Sequence, residues 1–503
     1  MSKLTLDDHG HVNGRTLATA KPLMGQTELL NLPNELLLKI FDNLRSTELY
    51  NLALSCRRLN CLVLPIYLHR HVLHRSSMIY LEPGRFPIIP PVIVSPPFVS
   101  CKVLSSMFYN RGFFSDIRRL QYFVTKILDI KEVRLDFVAV SSRTLLKHSD
   151  NIRTLLADVM AKSCESLVVA HDFLNPFDHQ VKGPPRWRNI LSTISRPFSA
   201  LAVRASTNAG LHSRTGSLNK FEVHSTMLVL PPFLDWTVKI LNTSPITTLS
   251  LGSTRLPFNA WANLLSAVTL PSLEEFSITN YWYNMTSTAT VENLAVPTLL
   301  EFLSRHPSIT RFQCHGLSDP STTKEREKVI LPLLESIDGN PEYIIYFLRR
   351  PLSFPKLHHV AIFQEADSFD CAVLDRAISV VGRCAQDITL RISLPPNSPD
   401  VRCWMNGPGN PQYLLQCAKK LELQVEPSFP PFSDCTKALF PAWLARFPSL
   451  RHVEFIQGAL LIVNRYCKVA FVRSLDQACP MLETVTLDME ERDVSTWLTM
   501  CTY

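Results

Sequence analysis

The chain has 503 residues, a net charge of +7, 46% hydrophobic and 9% aromatic residues, and only 19% charged ones. That balance excludes a disordered chain and suits two or three domains, or one small domain followed by an extended array. The positive charge has no dense Lys/Arg run and so no nucleic-acid footprint, and the 13 cysteines, without a CxxC pair, fit reduced thiols of the cytosol or nucleus.

Residues 1–27 lack periodicity and have no apolar core of the signal-peptide kind, so they read as a tail. Residues 28–75 carry three short helical patterns inside "NLPNELLLKIFDNLRSTELYNLALSCRRLNCLVL". The first is Leu36, Leu37, Ile40, Phe41 and Leu44, the second Leu49, Leu52 and Ala53, the third Leu59, Leu62 and Val63. Pro33 suits a first helical turn, and Ser46 is an N-cap candidate with Glu48 behind it. Helices this short need tertiary packing, and these are apolar on more than one face. Phe41 and Leu52 are expected to fill the interior, leaving other leucines for something outside it.

Residues 76–129 read as a proline-rich connector and cap, centred on "EPGRFPIIPPVIVSPPFVS". From about residue 130 one pattern recurs, P-x-[LI]-x-x-h-x-h, where h is apolar. Its copies are "PSLEEFSI" from Pro271, "PSITRFQC" from Pro307, "PKLHHVAI" from Pro355, "PSLRHVEF" from Pro448 and "PMLETVTL" from Pro480. Looser relatives are "PITTLSL", "CAQDITLRI" and "CAKKLELQV", with "KEVRLDF", "ESLVVAHDF", "SALAVRA" and "NKFEVHS" earlier. Helical patterns precede the strands, at intervals near thirty residues with one long interval between Pro307 and Pro355. A recurring strand–helix unit that cannot bury its own apolar face predicts a solenoid. In "PSLEEFSI" the alternation turns Leu273, Phe276 and Ile278 inward and leaves Glu275 and Ser277 outside. The expected fold is mixed α/β: a small all-helical bundle, then over residues 130–503 an irregular leucine-rich-repeat horseshoe of ten to twelve units, with parallel strands and outer helices.

Leu32-Pro33-Asn34-Glu35-Leu36, Ile40-Phe41, Leu44, Leu49, Leu52, Ser55-Cys56-Arg57 and Leu59 resemble an F-box, and "LPIYLHRHV" is similar to the extension of many fungal F-box proteins. Arg45 stands where that family frequently has proline, and Leu59 where an aromatic is common. The resemblance implies docking of Leu32, Pro33, Leu36, Ile40, Leu44 and Leu49 on a Skp-family adaptor, and through it on a cullin–RING ubiquitin ligase. A repeat array behind an F-box implies a substrate receptor that binds a target protein and carries no catalysis or cofactor itself. The alternative is a scaffold that recruits partners without ubiquitination.

Outward ladder positions that would read a target are Glu275, Ser277, Arg311, Gln313, His359, Glu454, Thr484 and Thr486, and their mixed signs point to a polar protein ligand. His69, His71 and His74 form an HxHxxH interleaved with packing residues, which favours a polar helix face over zinc. Cys164, Cys384, Cys417 and Cys479 each precede a strand and read as buried packing thiols. A helix-turn-helix reading of residues 34–63 fails because Leu59, Leu62 and Val63 follow Arg57 and Arg58 at once. The longest apolar runs are broken by charges before they reach a membrane span, and phosphate-loop and hydrolase signatures are missing.

Overall fold

Three helices, α1 (Asn34–Asp42), α2 (Ser46–Ser55) and α3 (Arg57–His71), begin the computed structural model. It describes residues 31–71, 78–81, 101–138, 140–170, 217–252, 258–279, 296–315, 331–349, 354–364, 369–384, 387–395, 398–407, 418–425, 431–456, 460, 462, 465–487 and 490–500. The residues read as a tail and the "SALAVRA" candidate lie outside these, as does the proline-rich stretch up to residue 100.

In the bundle, Leu37 and Phe41 of α1, Leu49 and Ala53 of α2, and Leu59, Val63 and Tyr67 of α3 are buried together. Polar side chains of α3 close the helix ends, where backbone carbonyls lack helical partners. The Arg70 guanidinium donates to the carbonyls of Phe41, Asp42 and Leu44 at the end of α1. Asn60 Nδ2 donates to the Ala53 carbonyl at 2.8 Å. Arg58 donates to the Leu32 carbonyl at 2.8 Å and to Asn34 Oδ1 at 2.9 Å, tying the leading segment to α3. Arg45, not Ser46, caps α2; its N–H donates to Glu48 Oε2 at 2.7 Å.

The rest of the described chain is one 15-stranded sheet in sequence order. Its strands are β1 (Met78–Leu81), β2 (Cys101–Met107), β3 (Ile130–Asp136), β4 (Ser166–Ala170), β5 (Lys220–His224), β6 (Thr248–Gly252), β7 (Glu275–Thr279) and β8 (Arg311–His315). They continue with β9 (Ser336–Gly339), β10 (His359–Phe363), β11 (Ile388–Ser393), β12 (Ala418–Gln424), β13 (His452–Phe455), β14 (Thr484–Leu487) and β15 (Glu490–Asp493). Every neighbouring pair up to β13–β14 is parallel. Helices in the connections, among them Leu234–Thr243, Val296–Ser304 and Cys371–Val381, bury apolar faces in the same core as the strands. The architecture is a solenoid-like α/β array. Parallel pairing starts earlier than residue 130, because β1 and β2 fall within the stretch read as connector and cap.

The recurring proline has a local job. In each full motif copy the residue two after it donates its N–H to the carbonyl of the residue just before it. Leu273 donates to Leu270 (3.1 Å), Ile309 to His306 (3.3 Å), Leu357 to Phe354 (3.2 Å), Leu450 to Phe447 (3.2 Å) and Leu482 to Cys479 (3.0 Å). Proline at the second position of such a turn has its φ already set. The turn then delivers the buried leucine and starts the strand.

Leu334 makes the same bond to Leu331 at 3.1 Å, around Pro332. "PLLESIDG" is therefore a further copy, and the long interval from Pro307 to Pro355 holds an additional strand, β9, paired with β8 and β10. Only its last position departs, with Gly339 in place of an apolar residue. A Cβ there would lie 2.8 Å from Cys314 Sγ and 2.9 Å from the Cys314 carbonyl. The neighbouring cysteine fills the space that the missing side chain vacates.

Successive units are tied together by side chains that reach the helix end of an adjacent unit, Asn242 forward and Arg305 and His306 back. Asn242 donates to the Ala267 carbonyl and accepts from Thr269 N–H (2.9 and 2.8 Å), and Arg305 binds the carbonyls of Leu265 and Val268. His306 is 1% exposed; its Nε2 accepts from Leu270 N–H at 2.9 Å and its Nδ1 lies 2.6 Å from the Phe302 carbonyl. That pair of bonds specifies the neutral imidazole, and burial lowers the pKa of its ring. At the far end β15 turns back antiparallel on β14 and closes the ladder with the acidic segment Glu490-Glu491-Arg492-Asp493. A charged final strand discourages pairing with another chain.

Candidate interaction surfaces

The bundle divides its apolar residues between core and surface by helical phase. Leu37 and Phe41 are fully buried, whereas Leu36 (47%), Leu38 (38%) and Ile40 (39%) on α1 and Leu54 (43%) on α2 are exposed. Leu36 and Ile40 stand one helical turn apart on one face, which Pro33 extends toward the N-terminus. Leu32 and Leu44 are half-buried and pack on the core. Leu49 has no exposure, so the expectation that it meets a partner is corrected: it holds α2 on the bundle and presents nothing outside. Leu59 is likewise a core residue, 4% exposed. Leu38 and Leu54 belong to the exposed apolar set and were missed, because leucine spacing alone does not say which stripe of a mostly apolar helix faces inward. The side chains of His69, His71 and His74 lie outside the described residues.

The strand ladder is built otherwise. Its inward columns are apolar, for example Leu249, Phe276, Phe312, Ile337 and Val360 at one register position. All eight proposed target-reading residues lie on the outward columns, as the alternation requires. They fall into three places rather than one. On β7 and β8, Glu275 is ion-paired with Arg311, and Ser277 Oγ donates to Gln313 Oε1 at 3.0 Å. Gln313 continues to His315 and Asp338, which form their own pair at 3.2 Å. His359 stands on β10, its Nδ1 3.0 Å from Ser336 Oγ. On β13 and β14, Thr484 Oγ1 lies 2.8 Å from His452 Nδ1, and Thr486 is the register partner of Glu454.

A residue that sequence reasoning did not select joins the last two places. Glu422 on β12, with an 8% exposed side chain, accepts from Arg391 Nη2 at 2.6 Å and from Lys420 Nζ at 2.9 Å, with His359 Nε2 at 3.8 Å. Lys420 bridges on to Glu454 at 2.8 Å. Burial by itself would push the Glu422 carboxyl up, but its bonds to His359, Lys420 and Arg391 hold it well below the usual carboxylate range. This network spans four strands, and its charges are neutralised within it. Elsewhere on the same face Arg134 pairs with Glu132 and Lys220 with Glu222. The face therefore offers polar groups whose charges already have partners.

Cys164, Cys384 and Cys479 are buried, and burial pushes the Cys164 thiol up to about 12 and the Cys479 thiol up to about 11. Such thiols stay protonated and act as packing groups; Cys417 lies outside the described residues. Among the described residues no helix is long and apolar enough to cross a membrane.

Compared with known families, residues 29–75 match the F-box-like family model, which covers the bundle described above. No curated protein matches the chain.

Proposed function

We propose that the chain is the substrate-recognition subunit of an SCF-type ubiquitin ligase, a fungal-type F-box protein whose leucine-rich-repeat-like ladder holds a target protein. The observation that carries this reading is an F-box-like bundle that leaves apolar side chains uncovered: Leu36 and Ile40 side by side on α1, with Leu38 and Leu54 also exposed, each by more than a third. Burying one such side chain is worth about 1.5–3 kcal/mol, so a few of them suffice as anchors. Pro33, Leu36 and Ile40 would seat on a Skp-family adaptor, with Leu32 and Leu44 at the rim of the contact. The adaptor would join the chain to a cullin–RING ligase.

On this reading the ladder binds the target through Glu275, Ser277, Arg311, Gln313, His359, Glu454, Thr484 and Thr486, with Arg391, Lys420 and Glu422 holding His359 and Glu454 in place. The chain contributes proximity, bringing target lysines to a ubiquitin-loaded enzyme supplied by other subunits, and performs no bond chemistry itself. The deciding experiment is co-purification with a Skp-family adaptor of the wild type and of a Leu36→Asp/Ile40→Asp variant. The wild type is expected to retain the adaptor, and the variant to lose it while melting at the wild-type temperature. Equal retention by both would overturn the assignment of this face.

A further inference from the structure

The positive charge of the chain is not evenly spread. Residues 101–162 contain eleven Lys and Arg against six Asp and Glu, a net of +5 in a chain whose total is +7. Within them, helix Phe113–Lys126 begins after Gly112, held at φ 83°, and exposes a stripe in which aromatic and cationic residues alternate at every fourth position: Phe114, Arg118, Tyr122 and Lys126. Phe114 and Tyr122 are 42% and 41% exposed. Arg118 lies over the Phe114 ring at 5.3 Å, and Lys126 over the Tyr122 ring at 5.3 Å.

Two contacts widen this stripe into a patch. Asn110 Oδ1 accepts from Ser141 N–H at 2.8 Å, and the Phe114 ring stacks on His148 at 5.0 Å. They bring Arg111 and Arg118 beside helix Ser142–Lys147, which exposes Arg143 and Lys147. The nearby acids are engaged elsewhere. Asp116 is buried and faces Arg119 at 3.7 Å, and Asp150 pairs with Arg153. Arg111, Arg118, Arg143 and Lys147 have no carboxylate partner among the described residues, whereas on the strand face Arg134, Lys220, Arg311, Arg391 and Lys420 are all paired.

We propose that this outer helical face is a docking surface separate from the strand ladder, and that it takes an acidic segment of a partner protein. Cations without carboxylates lose little internal pairing when an anionic partner covers them, and they steer its approach. The aromatic rings favour a carboxylate-bearing peptide over nucleic acid. Phe114 already contacts His148 and Arg118, and Lys126 lies over Tyr122, so a base that stacked on these faces would have to displace those contacts.

The test uses the purified full-length chain and a fluorescein-labelled peptide alternating glutamate and aspartate, read by anisotropy. A single-stranded oligonucleotide and phosphatidylserine vesicles serve as competing probes. The peptide is expected to bind, to weaken with added salt, and to weaken about tenfold or more in Arg111→Glu/Arg118→Glu/Arg143→Glu. A matched variant, Lys239→Glu/Arg383→Glu/Arg473→Glu, makes the same change in net charge on other exposed positions and is expected to shift binding less than about twofold. Should the first variant lose its helical circular dichroism, Arg118→Gln/Lys147→Gln is judged by the same criterion. No peptide binding, equal weakening by both charge reversals, or tighter patch-dependent binding of the oligonucleotide or the vesicles overturns the proposal.

Discussion

The helical bundle and the strand ladder treat their surfaces in opposite ways. In α1 and α2 four large apolar side chains stand more than a third exposed, while none of the large apolar residues exposed to that degree lies on a strand from β2 to β15. The ladder puts polar groups outside and pairs them across strands, as in Glu275–Arg311 and the group around Glu422. An apolar surface gains by being covered, whatever its exact register. A self-paired polar surface gains only from a partner that matches the bonds it would displace. The bundle thus suits one constant partner, and the ladder a selective one.

The sharpest way to break this comparison uses two neighbours on α1. Phe41→Ala empties a fully buried site and should cost about 3–5 kcal/mol, which a bundle of this size cannot absorb. Ile40→Ala, one residue away and 39% exposed, should change stability by less than about 0.5 kcal/mol. Thermal melts of the two variants decide it: comparable losses would mean that Ile40 belongs to the core and that the exposed face is not spare.

The ladder has its own tightly packed point. Gly339→Ala places a methyl group against Cys314 Sγ and the Cys314 carbonyl, and overpacking of this kind should cost about 1–3 kcal/mol. A neutral result would show that β8 and β9 separate more easily than their register implies. Glu422→Gln should fall in a similar range, about 1–3 kcal/mol, because Arg391 and Lys420 lose a shared carboxylate but stay partly in water. As a carboxyl held below its usual range, Glu422 contributes stability that is present above its unfolded value and is lost as pH falls through the folded one. The acid limb of a stability–pH curve should therefore flatten in Glu422→Gln.

What was legible in the sequence follows the same division. The most legible strands, β7, β8, β10, β13 and β14, each follow a turn proline and carry a buried leucine or isoleucine and two alternating apolar residues, all local requirements. β9 was overlooked because Gly339 breaks the last of these, and the reason sits on another strand, in Cys314. β1 and β2 flank the proline-dense stretch 82–100, whose composition makes the whole of residues 76–129 read as connector. On the ladder, alternation identified which residues face out, yet not that Glu422 binds Arg391, since that pairing joins residues on different strands. In the bundle, helical period located the leucines without fixing the phase of each helix, which is how Leu49 was assigned outward and Leu38 and Leu54 were passed over. Local chemistry gave the elements; partners distant in sequence were set by packing.

His306 offers a gentler probe of the joints between units. Burial lowers its pKa from the ordinary 6.5, so above that value the ring is neutral in both folded and unfolded chains and contributes no pH dependence. As pH falls below 6.5 the unfolded chain takes up the proton first, and stability declines. Melting temperatures at about pH 7.5 and pH 5.5 should therefore separate more in the wild type than in His306→Gln. Equal separation would remove His306 from the account.

The smallest expected effect on stability is also the most direct question to the strand face. Glu275 and Arg311 are register partners and form an ion pair whose arginine side chain is 64% exposed. An exposed pair of this kind contributes about 0–1 kcal/mol, and the exchange Glu275→Arg/Arg311→Glu keeps both charges while reversing their order across β7 and β8. Stability should stay within that range, and adaptor retention should be unchanged, because neither residue is in the bundle. Target capture should fall, since a ligand matched to a particular arrangement of donors and acceptors meets the inverted one. If a captured target is identified and the exchanged chain holds it as well as the wild type, the charges of β7 and β8 serve only to neutralise each other, and recognition has to be sought around Glu422 or on the helical side of the array.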